Sequence, residues 1–438
     1  MKKKTAIFIF EKIKTEIYSN SLKIEFRVSK EHFTRNRKQR FPILLLFMLN
    51  FLKKSLALEI ENFIGLFSPN PDSKFTKSAF VQARKKIKPE VFDRLSQVLL
   101  NEFYTDNEPA IKLWKGFRLL AIDGTRMTLP ITNELKRIYG ETKNQHDTVL
   151  VQARCSVIYD VLNKYVLDGI IGPTKRGERD LALTHLEHCK SKDLIIYDRG
   201  YPSYDFIHQH LKRNLDYLMR VKLSFSKVVK DFEKSGKKSL VVEMYPGKNT
   251  KISDKEYTRN SAIKVRLIRI ELGKGNVEIL MTSLLNSKLY PTGQFKELYF
   301  KRWGVETFYD EFKNKLKVEH FSGYSNQSIL QDFKATLFVS NVQTLIVSEL
   351  EDELKENNQG KKYDYKINTN ISYGLLKNRI VALFFDEKST ETNIVEELKV
   401  LFKSHLVPIR PDRKLERKPG KYRARIKPKI PKNQKDAI

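Results

Sequence analysis

Cysteine is nearly absent. Cys155 and Cys189 are the only two in 438 residues, and they stand in no metal-ligand spacing. That excludes a zinc finger or a disulfide framework and suits a reducing cytoplasm. Long apolar runs are missing too. The longest, residues 43–52, contains Asn50 and is shorter than the ~20 helical residues that cross a bilayer. It reads as a core helix, and no membrane partner is expected. The amino terminus, MKKKTAIFIFEKIK, opens like a secretory signal, but Glu11 and Lys12 cut its apolar stretch short. No small-residue cleavage site follows, which rejects a signal peptide. No internal repeat is visible. Acidic residues are in deficit, 52 against 82 Lys and Arg, for a net charge of +30. Such an excess favours a polyanionic partner, and nucleic acid is the default. The expected location is cytoplasmic, with the nucleoid.

What is present is a chain long enough for about three domains at ~150 residues each. Hydrophobic residues are 40%, sufficient for real cores. Residues 1–110 read as helical, with successive helices at 43–52, 56–67 and 77–86 and a turn-rich break, SPNPDSKFT, before the last. Lys77, Arg84 and Lys85 belong to the most basic of these. Two readings stand open: a DNA-binding unit using that helix, or a helical subdomain with one solvated basic face.

From residue 111 the period changes. Residues 117–123 are a strand, and 151–160 and 164–172 form a hairpin about a short turn. A helix at 178–190, a strand at 194–198, a helix at 203–211 and a strand at 215–221 follow. Residues 224–275, rich in Lys, Ser and Gly, read as a β-rich insertion with strands at 239–244 and 262–272. Residues 278–284, EILMTSL, resume the core pattern, and Pro291 opens a helix in a position that suits it. The expected division is a helical domain at 1–110, a catalytic core at 111–223 and 276–350 around the insertion, a helical region at 351–409 and a tail at 410–438. That tail has twelve Lys or Arg, three acidic residues and four prolines, and reads as disordered and basic.

Three acidic residues carry the chemistry. Asp123 in LLAIDGTRMTLP and Asp198 in DLIIYDRGYPS each end a short apolar run that reads as a buried strand. Glu306 in YFKRWGVETFYDEFKNK lies on an amphipathic helix. Carboxylates on strand ends and a facing helix can converge on divalent cations, and two such cations can cleave and rejoin phosphodiesters. A turn-capping role would explain either Asp alone about as well. Asp160 and Asp193 read as turn residues. His146, His185 and His188 read as packing or surface residues, because a two-metal site needs no general base.

At ~100° per residue, Arg302, Glu306 and Lys313 fall within about 60° of Tyr299, while Val305, Phe308, Phe312 and Leu316 face away. The bland alternative is an Arg302–Glu306 pair on a solvated face, worth a few tenths of a kcal/mol.

The order Tyr299, two residues, Arg302, three residues, Glu306, six residues, Lys313 resembles the Y-R-E-K signature of bacterial insertion-sequence transposases of the DDE class. DGT at Asp123, DRGYPS at Asp198, EILMTSL and SAFVQARKKI are similar to that family as well. The resemblance spans roughly residues 30–410. It implies an α/β fold with a ribonuclease H-like core and an insertion before the glutamate. It implies Asp123, Asp198 and Glu306 as the catalytic and metal-holding triad for two Mg²⁺ ions, with Mn²⁺ able to substitute. Tyr299, Arg302 and Lys313 would hold DNA phosphates. The partners implied are double-stranded DNA, as terminal inverted repeats and target, and a second copy of the chain in a synaptic dimer. Related enzymes trap a flipped base with an aromatic from the insertion; Trp114 and Trp303 both lie outside 224–275, so that residue is unassigned. The alternatives are a nuclease without strand transfer and an inactive DNA-binding descendant.

Overall fold

Apolar residues at helical spacing build the two ends of the chain, and short apolar runs build its middle. The structure, a computed structural model, describes residues 4–35, 39–67, 74–143, 149–248, 250, 252, 254, 256–273, 276–385 and 391–410. Six helices come first: α1 (Ala6–Tyr18), α2 (Asn20–Phe26), α3 (Phe41–Leu49), α4 (Leu56–Phe67), α5 (Lys77–Arg84) and α6 (Val91–Tyr104). Then come β1 (Arg118–Leu129), α7 (Asn133–Tyr139), β2 (Glu141–Lys143), β3 (Val149–Asp160) and β4 (Val166–Pro173). They lead to α8 (Glu178–His185), β5 (Asp193–Tyr197), α9 (Tyr204–Lys212), β6 (Asp216–Val221) and α10 (Lys227–Lys234). Strands β7 (Ser239–Met244), β8 (Ile263–Gly273) and β9 (Asn276–Thr282) precede α11 (Phe295–Phe300) and α12 (Trp303–Asp310). The chain continues with α13 (Asn326–Asn358), β10 (Tyr365–Ile367), α14 (Thr369–Leu376), α15 (Arg379–Phe384), α16 (Glu391–Lys403) and β11 (Leu406–Pro408).

Two compact units form. One takes 1–111, 127–153 and 310–438, the other 112–126 and 154–309. In the first, α1 is an amphipathic helix with Ile9, Phe10, Ile13 and Ile17 fully buried. It packs on α6, α15 and α16, while α6 and α3 pack on the 33-residue α13. The expected separate domain at 1–110 is therefore corrected. Its helices share one core with the carboxy-terminal helices, because their apolar stripes are buried against each other. Residues 411–438, most of the break at 68–76, and His146 lie outside the described residues.

The fold is mixed α/β around a nine-stranded sheet in the order β2-β3-β1-β5-β6-β9-β8-β7, with β4 also on β3. β1 runs parallel to β5 and β5 parallel to β6. β9 is antiparallel to both β6 and β8, so the strands of 224–275 extend this sheet. In the second unit each sheet face has its own apolar cluster. Leu120, Ile122, Ile195 and Tyr197 pack with α9, and Leu119, Leu194 and Ile196 pack with Phe295, Leu298 and Tyr299 of α11. At the base of β1 and β5, Arg118 donates to both oxygens of Asp193 at 2.8 and 2.7 Å, a buried forked pair. Asp160 holds the β3–β4 turn by accepting from the Leu162 and Asn163 amides. Among the described residues no helix is long and apolar enough to cross a membrane.

Candidate active site

The β1–β5 ladder pairs Arg118 with Asp193 through Ala121 with Ile196. Asp123 and Asp198 each lie two residues past the last pair of that ladder. Alternation along each strand puts both on the face that carries Leu119 and Ile196, the face that α11 covers. α12 follows α11 directly and carries Glu306 in its first turn. Sheet register and helix packing thus bring three carboxylates, 183 residues apart at the extremes (306 − 123), to one neighbourhood.

Asp123 was expected at a strand end, but β1 runs on to Leu129, with Met127 and Leu129 buried. The DG pair reads as a turn in sequence, yet the backbone stays extended. Asp198 does follow directly on β5. Each Asp Oδ1 accepts one nearby amide, Gly124 at 2.8 Å for Asp123 and Gly200 at 2.7 Å for Asp198. A Cβ on residue 200 would meet Asp198 Oδ1 at 3.0 Å, so glycine there permits the close turn. Burial pushes the Asp123 carboxyl up to about 6, and the like charges of Asp198 and Glu306 add to this. The Gly124 amide and the Arg302 guanidinium act the other way.

Arg302 is the cation of the cluster. Its Nη2 donates to Glu306 Oε1 at 2.6 Å, and Nη1 stands 3.9 Å from Asp123 Oδ2. The guanidinium also lies over the Trp303 and Tyr299 rings, at 5.3 and 5.9 Å from their centroids. Arg302 is only 7% exposed and Tyr299 9%. Both are thus buried beside the acidic residues, and the expectation that they hold DNA phosphates stands as a proposal. Burial places them inside the site, Arg302 as partner of Glu306. Burial also pushes the Tyr299 hydroxyl up to about 12, so it stays protonated.

Between α11 and α12 the bonds shorten to three-residue closures, Arg302 to Tyr299 and Val305 to Arg302, which turn the chain more tightly than an α-helix. After Asp310 the chain widens into a π-helical turn, Glu311–Lys315, closed by Leu316 N–H to Glu311 O. Lys313, on that turn, belongs to the first unit and is half-buried. Val305, Phe308, Phe312 and Leu316 are buried as expected.

Arg84 is corrected as well. It is 3% exposed and donates to Gln331, Ser322, Ser328 and Asp332, which makes it a buried tie within the first unit. Lys77 and Lys85 are exposed. His185, read as a packing residue, is buried in a polar chain with Asp168 and Ser156. Nothing local in the sequence links residues 156, 168 and 185; only the folding of β3, β4 and α8 together does.

The donor set of the cluster is all carboxylate oxygen, which hard divalent cations take. Among the described residues no three acidic, His or Cys side chains stand close enough to hold an ion as they are. Arg302 pairs with Glu306 and faces Asp123. Arg302→Ala should lower the melting temperature of the metal-free protein and leave the salt dependence of DNA binding unchanged. A log–log slope shallower by about one unit would instead support the phosphate contact.

An acidic cluster on a mixed sheet, covered by a glutamate-bearing helix and set in a basic chain, has the makings of a metal-dependent phosphodiester enzyme. Residues 114–342 match the transposase DDE domain, and the chain belongs to that family. It is 22% identical over 327 residues to the transposase InsG for insertion sequence element IS4 of Escherichia coli (strain K12), covering 73% of each chain. It is 22% identical over 269 residues to the transposase for insertion sequence element IS231F of Bacillus thuringiensis subsp. israelensis, covering 52% of this chain and 55% of the relative. A cryo-EM structure of the piggyBac transposase synaptic complex with hairpin DNA aligns with a TM-score of 0.45 at 9% identity, over 91% of this chain and 85% of that one. The chain is a DNA transposase, a DNA-cleaving and strand-transferring enzyme whose family depends on divalent metal.

Proposed function

We propose that Asp123, Asp198 and Glu306 hold two Mg²⁺ ions, with Mn²⁺ able to substitute, for cleavage of transposon ends and their joining to target DNA. The observation that carries this reading is Asp123. Its carboxyl is buried beside Asp198, Glu306 and the Arg302 guanidinium and is raised to about 6, mainly by burial. Bound divalent ions would supply positive charge, activate water and stabilise the attacking and leaving oxygens of a phosphodiester. The residues' own work is orientation. The Gly124 and Gly200 amides each hold one Asp oxygen. Arg302 holds one oxygen of Glu306. The strand order β4-β3-β1-β5-β6, with its three parallel members, supports a ribonuclease H-like core with 224–275 inserted. The spacing Tyr299, Arg302, Glu306, Lys313 supports the Y-R-E-K group. The test is end cleavage and strand joining by the full chain, absent in chelator and restored by Mg²⁺ or Mn²⁺. Equal activity in chelator would defeat the reading.

The exposed Lys77 and Lys85, with the basic tail of 410–438, are proposed to engage DNA, with end recognition residing in the amino-terminal helices. Synapsis of two ends calls for two copies of the chain, and such a complex would sit at the nucleoid. Lys77→Ala with Lys85→Ala in the full chain should make the log–log salt slope of end binding shallower by about two units. An unaltered slope would move the contact elsewhere.

A further inference from the structure

β1 parts from its neighbour where Asp123 sits. The ladder to β5 ends at Ala121, and two side chains reach the Asp123 carbonyl. Tyr309 on α12 donates its hydroxyl at 2.7 Å, and Ser156 on β3 donates at 3.3 Å. Tyr309 is 6% exposed and Ser156 fully buried. Burial raises the Tyr309 hydroxyl far above its ordinary value, so it remains a donor.

Ser156 continues into a chain. Its Oγ lies 3.1 Å from His185 Nε2, and His185 Nδ1 lies 2.7 Å from Asp168 Oδ2. The three come from β3, the end of α8 and β4. A hydroxyl has one proton to give. Ser156 gives it to the Asp123 carbonyl, and the His185 ring bridges Ser156 Oγ and the Asp168 carboxylate. The sequence of groups matches a hydrolase triad, but a nucleophile must meet substrate. Here the serine and histidine are fully buried, and the serine points at a peptide carbonyl.

We propose that Asp168, His185 and Ser156 on one side, and Tyr309 on the other, form a positioning array for Asp123. They fix the peptide plane from which its carboxylate projects, at a point where the β5 ladder no longer does. Sites of this kind hold their geometry within about 0.5 Å through such supports. The inference rests on Asp123 being a metal ligand.

The test is Mn²⁺ affinity of the full chain, measured calorimetrically, for Ser156→Ala, Tyr309→Phe and Asp168→Asn, with Asp123→Asn as reference. Each of the three should weaken Mn²⁺ binding roughly 10–100-fold while circular dichroism stays wild type. Groups that only fill the core would change melting temperature and leave Mn²⁺ affinity alone. Wild-type affinity in folded Ser156→Ala and Tyr309→Phe, with loss in Asp123→Asn, overturns the array and spares the metal reading. Wild-type affinity in Asp123→Asn overturns the metal reading itself. If Ser156→Ala does not fold, Tyr309→Phe, which keeps the ring, decides by the same measure.

Discussion

Glu306→Gln is expected to bind transposon-end DNA as the wild type does and to cut it far more slowly. The loss should exceed the roughly 10–100-fold typical when a group behind a metal ligand is removed, because here a proposed ligand itself goes. The amide keeps the shape of the side chain, and its oxygen can still accept from Arg302 Nη2, now 2.6 Å from Glu306. Val305 and Phe308, which seat α12 in the second unit, are untouched and buried. What disappears is charge, and a neutral amide binds a hard divalent cation weakly. Asp198→Asn should behave alike, since its oxygen can still accept the Gly200 amide that shapes the turn. The competing account makes Glu306 a partner of Arg302 and nothing more. A single ion pair of this spacing is worth a few tenths of a kcal/mol, so it predicts a small fall in melting temperature and unaltered cleavage. Gel-based cleavage rates and DNA affinity on the same two variants separate the accounts. Cleavage at the wild-type rate by either would remove that residue from the site.

Asp123→Asn should do something less intuitive and make the metal-free protein more stable. The folded state raises this carboxyl from 3.8 to about 6, mainly through burial. A raised acid favours the folded state below its unfolded pKa, and that advantage is lost as pH rises through about 6. At neutral pH the ionised group is thus a cost. At roughly 1.4 kcal/mol per unit it amounts to about 3 kcal/mol as an upper figure. The asparagine has no charge to bury and keeps an oxygen for the Gly124 amide. In chelator the variant should melt higher than wild type above about pH 7, and the difference should close below about pH 4. Adding Mn²⁺ should stabilise wild type and not the variant. A variant that melts lower at neutral pH in chelator would mean Asp123 is held by contacts that outweigh its burial.

Much of the candidate site was legible because it rests on local signals. The apolar runs before Asp123 and Asp198 mark two buried strands, and strands of that kind lie parallel side by side. Both aspartates then lie two residues beyond the end of their shared ladder. The glutamate helix was legible from its buried Val305, Phe308, Phe312 and Leu316. Its turns were not: a tight turn at Lys301–Arg302 and a π-helical turn after Asp310 break the 100° step on both sides, yet Arg302 still meets Glu306. Arg84 reads as basic surface in sequence, and only α13, some 240 residues later, supplies the Asp332 that buries it. The amino-terminal helices read as a domain because helical periodicity carries no record of its partners. The Asp168–His185–Ser156 chain left no sequence trace at all, since each residue sits on a different element.

The most direct test of the central claim is anomalous diffraction from crystals of the full chain bound to end DNA and soaked in Mn²⁺. Two peaks about 4 Å apart, ligated by Asp123, Asp198 and Glu306 together, are the predicted result. Mn²⁺ peaks that lie elsewhere, with Glu306 still bonded to Arg302 and no density among the three carboxylates, would contradict the account.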